Sequence, residues 1–136
     1  MDFTKQTKKI MTNAIKRYSL ENEKGNKQTQ LMINSEEDFS PTFKVLIDNK
    51  PVKDVSFKEI INVKLDLLNK EAIATQFITM CLQRICRENE CNYNEVNILI
   101  YSPDELCEEI MMYLFIGTKP VKEITFNYLF MEDLTE

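Results

Sequence analysis

The segment Val96–Tyr101, VNILIY, decides the fold that the sequence predicts. It is short, apolar and rich in β-branched residues, which is typical of a strand buried on both faces in the middle of a sheet. The helix expected before it begins at Asn69, a favourable N-cap residue, and runs to about Glu90. Its apolar side chains recur at helical spacing and form one stripe: Ala74, Phe77, Ile78, Cys81 and Ile85.

A second helix is predicted after this strand. The segment Ser102–Glu105 has serine at the N-cap, proline at the first helical position and glutamate at the third, which together form a capping box. The residues LCEEIMMYLFI would continue that helix to Gly117, a common C-terminal stop. The last segment, EITFNYLF, alternates apolar and polar residues and predicts a closing strand with Ile124, Phe126, Tyr128 and Phe130 on one face.

The N-terminal part begins with an amphipathic helix, since apolar residues between Phe3 and Tyr18 recur at steps of three and four. Residues 21–40 are polar, contain Gly25 and predict a linker. The segment Thr42–Asp48, TFKVLID, predicts a strand with one buried face, followed by turn residues DNKP. A second strand is predicted over Asn62–Leu68, NVKLDLL, and we expect it to form an antiparallel hairpin with the first.

These elements predict an α+β domain in the order α-β-β-α-β-α-β, with two layers and a small mixed or antiparallel sheet of about four strands. A doubly wound α/β sheet is the alternative. We expect a single domain over 1–136 without an internal repeat. Its parts would be a basic helix at 1–20, a polar linker at 21–40, an α+β body at 41–131 and an acidic tail at 132–136.

Three of the four cysteines fall in CLQRICRENEC, at positions 81, 86 and 91. Residues five apart on a helix are separated by ~7.5 Å along the axis and by about 140° around it, so Cys81 and Cys86 would point apart. A zinc site would need all four thiolates, because the chain has no histidine. We therefore predict reduced thiols, with Cys81 packed in the core, and no bound metal.

Composition argues against an enzyme and against a cofactor. Without histidine the chain lacks the commonest general base, and its two glycines cannot form a glycine-rich phosphate-binding loop. The weaker catalytic candidates are Cys107, near the start of the predicted helix, and a glutamate cluster formed by Glu105, Glu108 and Glu109. We expect these glutamates to cap and solvate that helix.

The distribution of charge and the excess of apolar surface predict contacts with other macromolecules. Seven basic and three acidic side chains give residues 1–27 a net charge of +4, which leaves −9 for the rest of a chain whose total is −5. The MMYLFI segment of the predicted helix is apolar nearly all round. The predicted partner-binding residues are Lys5, Lys8, Lys9, Lys16, Arg17, Met111, Met112 and Phe115.

The leading hypothesis is a non-catalytic protein-interaction or assembly module that forms homo- or hetero-oligomers with other protein chains. Its predicted element order resembles that of some phage tail-terminator and neck-completion proteins, which implies a phage virion component. The alternatives are a nucleic-acid-associated regulator that uses the basic helix and a small acidic inhibitor of a host nucleic-acid enzyme. No apolar run spans a membrane and no secretory signal is apparent, so the expected location is the cytoplasm, or the host cytoplasm or virion for a viral protein.

Overall fold

The computed structural model describes residues 3–61 and 68–129. It is an α+β fold with one antiparallel sheet in the strand order β3-β2-β1-β4-β5-β6. The elements are α1 (Phe3–Glu21), β1 (Thr29–Ser35), β2 (Pro41–Ile47), β3 (Lys50–Val55), α2 (Phe57–Ile61), α3 (Leu68–Asn89), β4 (Val96–Tyr101), β5 (Met111–Ile116), β6 (Lys119–Ile124) and α4 (Phe126–Leu129). The α+β class is confirmed. The predicted strand number and element order are wrong, and the wholly antiparallel pairing contradicts a doubly wound sheet.

The first correction concerns the predicted linker at 21–40, which contains the central strand β1. Leu31 and Ile33 are fully buried and alternate with the half-exposed Met32 and Asn34. The alternation covers only the middle of the strand, because Thr29, Gln30 and Ser35 are polar although they are buried. Pairing with β2 and β4 therefore specifies this strand more than its own sequence does.

The second correction concerns the predicted helix after Ser102, which does not form. Asp104 Oδ1 accepts hydrogen bonds from the backbone N–H groups of Leu106 and Cys107, and Cys107 has a φ of 55°. The same hydrogen bonds can begin a helix, but the left-handed backbone of Cys107 directs the chain away from the helical path, so the segment is a turn. MMYLFI is strand β5, in which buried and half-exposed side chains alternate.

The closing segment and one predicted hairpin strand also differ from expectation. EITFNYLF contributes only its first two residues to β6 and then forms α4, whose start is capped by a hydrogen bond from the Tyr128 N–H to Thr125 Oγ1. The strand predicted over Asn62–Leu68 falls on residues 62–67, which lie outside the described residues, and Leu68 begins α3. The acidic tail at 132–136 lies outside them as well.

The core lies between one face of the sheet and the helices. The helix α1 packs on the body rather than standing apart from it, since Met11, Ala14 and Ile15 are fully buried. Burial of such side chains supplies the main driving force for folding, at about 25 cal/mol for each Å² of apolar surface. The largest fully buried side chains are Met11, Ile15, Leu31, Ile33, Ile60, Ile78, Leu82, Ile85, Ile98, Ile100 and Met112.

The chain is built from two copies of one unit, which we call repeat 1 (residues 3–61) and repeat 2 (residues 68–129). Each repeat has a long helix, a short 3-10 helix, three strands and a short closing helix. The expectation of no internal repeat is therefore wrong. Equivalent residues lie 67 positions apart as far as Ser35 and Ser102 and 69 positions apart in the later strands, because the loop in repeat 2 is two residues longer.

The repeat is visible in the sequence once the structure aligns it. IDNKPVKDVSF (47–57) matches IGTKPVKEITF (116–126) with six of eleven residues identical. Three of the five differences conserve side-chain character, namely aspartate to glutamate, valine to isoleucine and serine to threonine. The end of each long helix also carries the same tripeptide, ENE, at 21–23 and 88–90.

Equivalent contacts confirm the match. Arg17 donates to the carbonyl oxygens of Glu59 (2.8 Å) and Ile60 (3.3 Å) in α2, and Arg84 donates to that of Tyr128 (3.1 Å) in α4. Each repeat also has a shift in register at residues 45 and 46 and at 114 and 115, where the paired edge strand has one extra residue, Val52 in β3 and Val121 in β6. The central pairing of β1 with β4 places Met32 opposite its own equivalent, Leu99. A pseudo-twofold axis therefore passes through the middle of the sheet.

Candidate functional site

The sheet face that points away from the core is the candidate site, and we call it the open face. Residues on it alternate in sequence with core residues and, apart from Gln30 and Leu46, are half exposed. None of them belongs to the buried core cluster that the described helices complete. Its side chains include Gln30, Met32, Asn34, Thr42, Lys44, Leu46, Asn97, Leu99, Tyr101, Met111, Tyr113 and Phe115.

The two halves of the open face differ in chemistry. Along β1 and β2 it is largely polar, whereas along β4 and β5 it carries Leu99, Tyr101, Tyr113 and Phe115, which we call the aromatic patch. The rings of Tyr113 and Phe115 lie 5.8 Å apart between centroids, tilted by 55°. The equivalent residues change from repeat 1 to repeat 2 as Asn34 to Tyr101, Thr42 to Met111, Lys44 to Tyr113 and Leu46 to Phe115.

A groove with a volume of about 580 Å³ lies over the aromatic patch. Pro103 and Pro120 extend its apolar lining, and three polar residues of repeat 1 reach it: Lys27, Gln30 and Asn49. The Asn49 N–H donates to Gln30 Oε1 (3.0 Å), which holds the amide in place. A mostly apolar groove of this volume with a few polar groups is typical of a binding site.

Burial at the groove also changes the acidity of Tyr101. Desolvation raises the pKa of its phenol above the ordinary value, and Glu123 and Tyr113 raise it further. The phenol therefore stays protonated at neutral pH and can donate a hydrogen bond to a bound molecule. An uncharged donor beside aromatic rings suits a partner that is apolar with some polar backbone.

The edges of the sheet are less suitable for binding. The outer strands β3 and β6 are KPVKDV and KPVKEI, and both are exposed except at their last residue. Each contains a proline, two lysines and a one-residue bulge. Prolines, lysines and bulges at edges discourage the addition of a further strand. The open face is therefore the better candidate for contact with a partner.

The predicted partner-binding residues of the MMYLFI segment are divided between the two faces. Met111 and Phe115 lie on the open face, half exposed. Met112 is fully buried in the core, so it cannot touch a partner while the chain is folded. The prediction omitted Leu99, Tyr101 and Tyr113. The signal for them was the two-residue alternation of β4 and β5, which a helical interpretation of MMYLFI conceals.

The basic residues predicted on α1 lie on the helical side, away from the groove. Lys5, Lys9 and Lys16 are exposed, whereas Lys8 forms an ion pair with Glu109 (2.9 Å). Arg17 is engaged with backbone carbonyl oxygens of α2. This surface therefore has fewer cations available for a partner than the sequence suggests.

The glutamate cluster and Cys107 do not converge on a catalytic arrangement in the described residues. Glu109 is paired with Lys8, while Glu105 accepts a long hydrogen bond from the Lys27 N–H (3.4 Å). Cys107 is fully buried, and this burial raises the pKa of its thiol, so the nucleophilic thiolate is disfavoured. In the part of the chain that the structure describes, no group of three or more cysteine, aspartate or glutamate side chains is arranged to hold a metal ion.

The helical cysteines lie partly as predicted. Cys81 is fully buried in the core, which confirms its expected packing role. Cys91, however, folds back so that its Sγ lies 3.9 Å from Cys86 Sγ. The structure thus brings together a pair of thiols that the spacing on a continuous helix would not.

Comparison of the chain with protein-family models, with curated proteins and with solved structures finds no match. Within residues 3–61 and 68–129, no helix is both long and apolar enough to cross a membrane.

Proposed function

We propose that this chain is a non-catalytic protein-interaction module whose groove on the open face binds an apolar segment of another protein. The observation that supports the proposal is the aromatic patch. In repeat 2, Tyr101 and Tyr113 stand where repeat 1 has the polar Asn34 and Lys44, and Phe115 and Leu99 stand where it has the apolar Leu46 and Met32. The added aromatic side chains lie on the open face, outside the core cluster, which favours a binding role.

The shape and lining of the groove suit a short segment. Its volume of about 580 Å³ accommodates a few anchoring side chains. Tyrosine and phenylalanine are effective at such contacts because they bury much apolar area with few rotatable bonds. The segment would lie across the open face, since both edge strands resist strand addition.

The test uses peptides selected from a random display library against the folded wild-type chain. Tyr113→Lys places the repeat 1 residue in the aromatic patch, and Lys44→Tyr is the matched change on the polar half. We expect Tyr113→Lys to weaken binding of the selected peptides at least tenfold, as loss of an anchor costing about 1.4 kcal/mol would do. Lys44→Tyr should leave affinity nearly unchanged.

Two results would count against this function. Selected peptides that bind Tyr113→Lys as tightly as the wild type would place the interaction elsewhere. Light scattering that shows a dimer dissociated by Tyr113→Lys would replace the peptide segment with a second copy of the chain. Circular dichroism and unfolding curves of both variants provide the control for folding.

The other functions suggested by the sequence have less support. Nucleic-acid binding through α1 would depend on exposed cations, and Lys8 and Arg17 already have partners in the chain. Affinity for nucleic acid that falls steeply with salt would favour that alternative. The likeness to phage tail-terminator and neck-completion proteins depended on the predicted element order, which the structure replaces.

A further inference from the structure

The C-terminal end of α3 brings two thiols together. Glu90 adopts a left-handed conformation (φ 52°), which ends the helix and reverses the chain. The Cys91 N–H then donates to the Cys86 carbonyl oxygen (3.2 Å), and the two Sγ atoms lie 3.9 Å apart. Cys86 is 8% exposed and Cys91 is half exposed. A reagent in solution therefore reaches Cys91 first.

Repeat 1 forms the same turn without thiols. Glu23 is left-handed (φ 56°), and the Lys24 N–H donates to the Ser19 carbonyl oxygen (3.0 Å). Ser19 and Lys24 are the equivalents of Cys86 and Cys91. The Ser19 hydroxyl makes hydrogen bonds with Ile15 O and Thr29 Oγ1. The backbone turn therefore does not require cysteine, and the paired thiols are a feature of repeat 2 alone.

We propose that Cys86 and Cys91 are a reversible oxidation site that closes to an intramolecular disulfide. A disulfide requires sulfur atoms at ~2.05 Å and Cβ atoms at about 3.8 Å. Starting from 3.9 Å between the sulfurs, rotation of the side chains supplies most of the approach. The hydrogen-bonded turn already holds the two backbones together. The bond would join the last turn of α3 to the connection that leads into β4.

A low-molecular-weight disulfide such as oxidised glutathione is a sufficient oxidant. The Cys91 thiolate attacks one of its sulfurs, which forms a mixed disulfide and releases one glutathione. The Cys86 sulfur then attacks Cys91 Sγ, displaces the second glutathione and gives it the thiol proton. The protein loses two electrons and two protons, and oxidised glutathione becomes two glutathione molecules. Cys86 is shielded from reagents in solution and lies 3.9 Å from Cys91 Sγ, so its reaction is with that neighbour. Burial also raises the pKa of Cys86 to about 11, which disfavours its thiolate until the mixed disulfide is beside it.

The test incubates the folded chain with oxidised glutathione, quenches with acid, unfolds the protein and counts free thiols by maleimide labelling and mass spectrometry. The wild type begins with four free thiols, and we expect two to remain, with Cys86 linked to Cys91 in peptide digests. Dithiothreitol should restore all four. Cys86→Ser should stop at the mixed disulfide on Cys91, which identifies the first sulfur attacked.

Repeat 1 provides a matched control. The variant Ser19→Cys/Lys24→Cys, built on Cys86→Ser/Cys91→Ser, places a thiol pair on the equivalent turn, and its closure would show that the turn geometry suffices. The proposal is overturned if the wild type keeps four thiols, accumulates an unresolved glutathione adduct on Cys91, or forms its disulfide through Cys81, Cys107 or a second chain. These results are independent of peptide binding, so they do not depend on the proposed function.

Discussion

Repeat 1 and repeat 2 agree in their edge strands and in the arginine contacts of their closing helices, and they differ on the open face. The edge strands share Lys-Pro-Val-Lys, and each long helix has an arginine that holds the closing helix of its own repeat. On the open face, by contrast, Lys44 stands where repeat 2 has Tyr113. One architecture thus tolerates both a polar and an aromatic surface. The comparison separates residues that the fold requires from residues that are free to serve binding.

If the two repeats contribute equally to the core, alanine substitutions at equivalent core positions should lower the free energy of unfolding by similar amounts. Ile33 and Ile100 are equivalent, fully buried and paired with the neighbouring central strand. We expect Ile33→Ala and Ile100→Ala each to lower the free energy of unfolding by about 2–5 kcal/mol, because each removes buried apolar atoms and leaves a cavity. Urea unfolding followed by circular dichroism measures both losses.

The control for this pair is Val52→Ala, since Val52 lies on an exposed edge strand and is 48% exposed. Its effect should stay below about 0.5 kcal/mol. A tolerated alanine at one central position beside a damaging one at the other would show that the repeats do not share the core equally. The two repeats would then share a backbone structure but contribute unequally to the free energy of unfolding.

The arginines are expected to give a smaller effect. Arg17→Lys and Arg84→Lys keep the charge but lose the planar group that reaches carbonyl oxygens of the closing helix. We expect each to lower the free energy of unfolding by at most about 1.5–3 kcal/mol, which is the range for hydrogen bonds to charged groups. Arg17 should cost more, because it reaches two carbonyl oxygens and Arg84 has one such bond.

The matched control is Lys16→Ala, an exposed cation next to Arg17 on the same helix. It should change stability by less than about 0.5 kcal/mol. If the Arg17 variant lost no more stability than this control, the hydrogen bonds to α2 would make no net contribution to the free energy of unfolding. Hydrogen exchange of the α2 and α4 amides would locate the loss, since each closing helix should open more readily when its own arginine is replaced.

The sequence predicted the parts of the fold whose local pattern and final environment agree. Helices α1 and α3 have long apolar stripes, and strands β2 and β4 have clear patterns, so the sequence predicts all four near their observed bounds. The segment MMYLFI was not, because six apolar residues fit a buried helix as well as a strand. A capping box before it favoured the helix, and only the long-range pairing of Met112 with Ile100 settles the segment as a strand.

The candidate site was harder to predict for the same reason. Tyr101 and Tyr113 are neighbours only through the antiparallel register of β4 and β5, which a single chain does not display. Apolar character predicts a partner contact for Met111, Met112 and Phe115 alike. Met111 and Phe115 lie on the open face, whereas Met112 is buried. The repeat would have resolved this ambiguity, because KPVK follows β2 and MMYLFI alike.

Substitutions in the turns before the edge strands should change the free energy of unfolding least. Gly117 has a φ of 65° and is equivalent to Asp48, which has a φ of 53°. Their N–H groups donate to equivalent carbonyl oxygens, those of Glu95 (2.6 Å) and Gln28 (2.8 Å). No heavy atom lies within 4 Å of a Cβ built on Gly117, so any cost of substitution is conformational. The two turns therefore differ mainly in how their residue types tolerate a left-handed backbone.

We expect Gly117→Val to lower the free energy of unfolding by about 1–2 kcal/mol, because a β-branched residue is strained at positive φ. Gly117→Asp should cost less than about 1 kcal/mol, since aspartate tolerates this conformation and Asp48 already adopts it. Urea unfolding of the two variants beside the wild type measures the difference. Equal losses in both variants would mean that the turn of repeat 2 needs glycine for a reason that its φ does not explain, and the equivalence of the two turns would fail at this position.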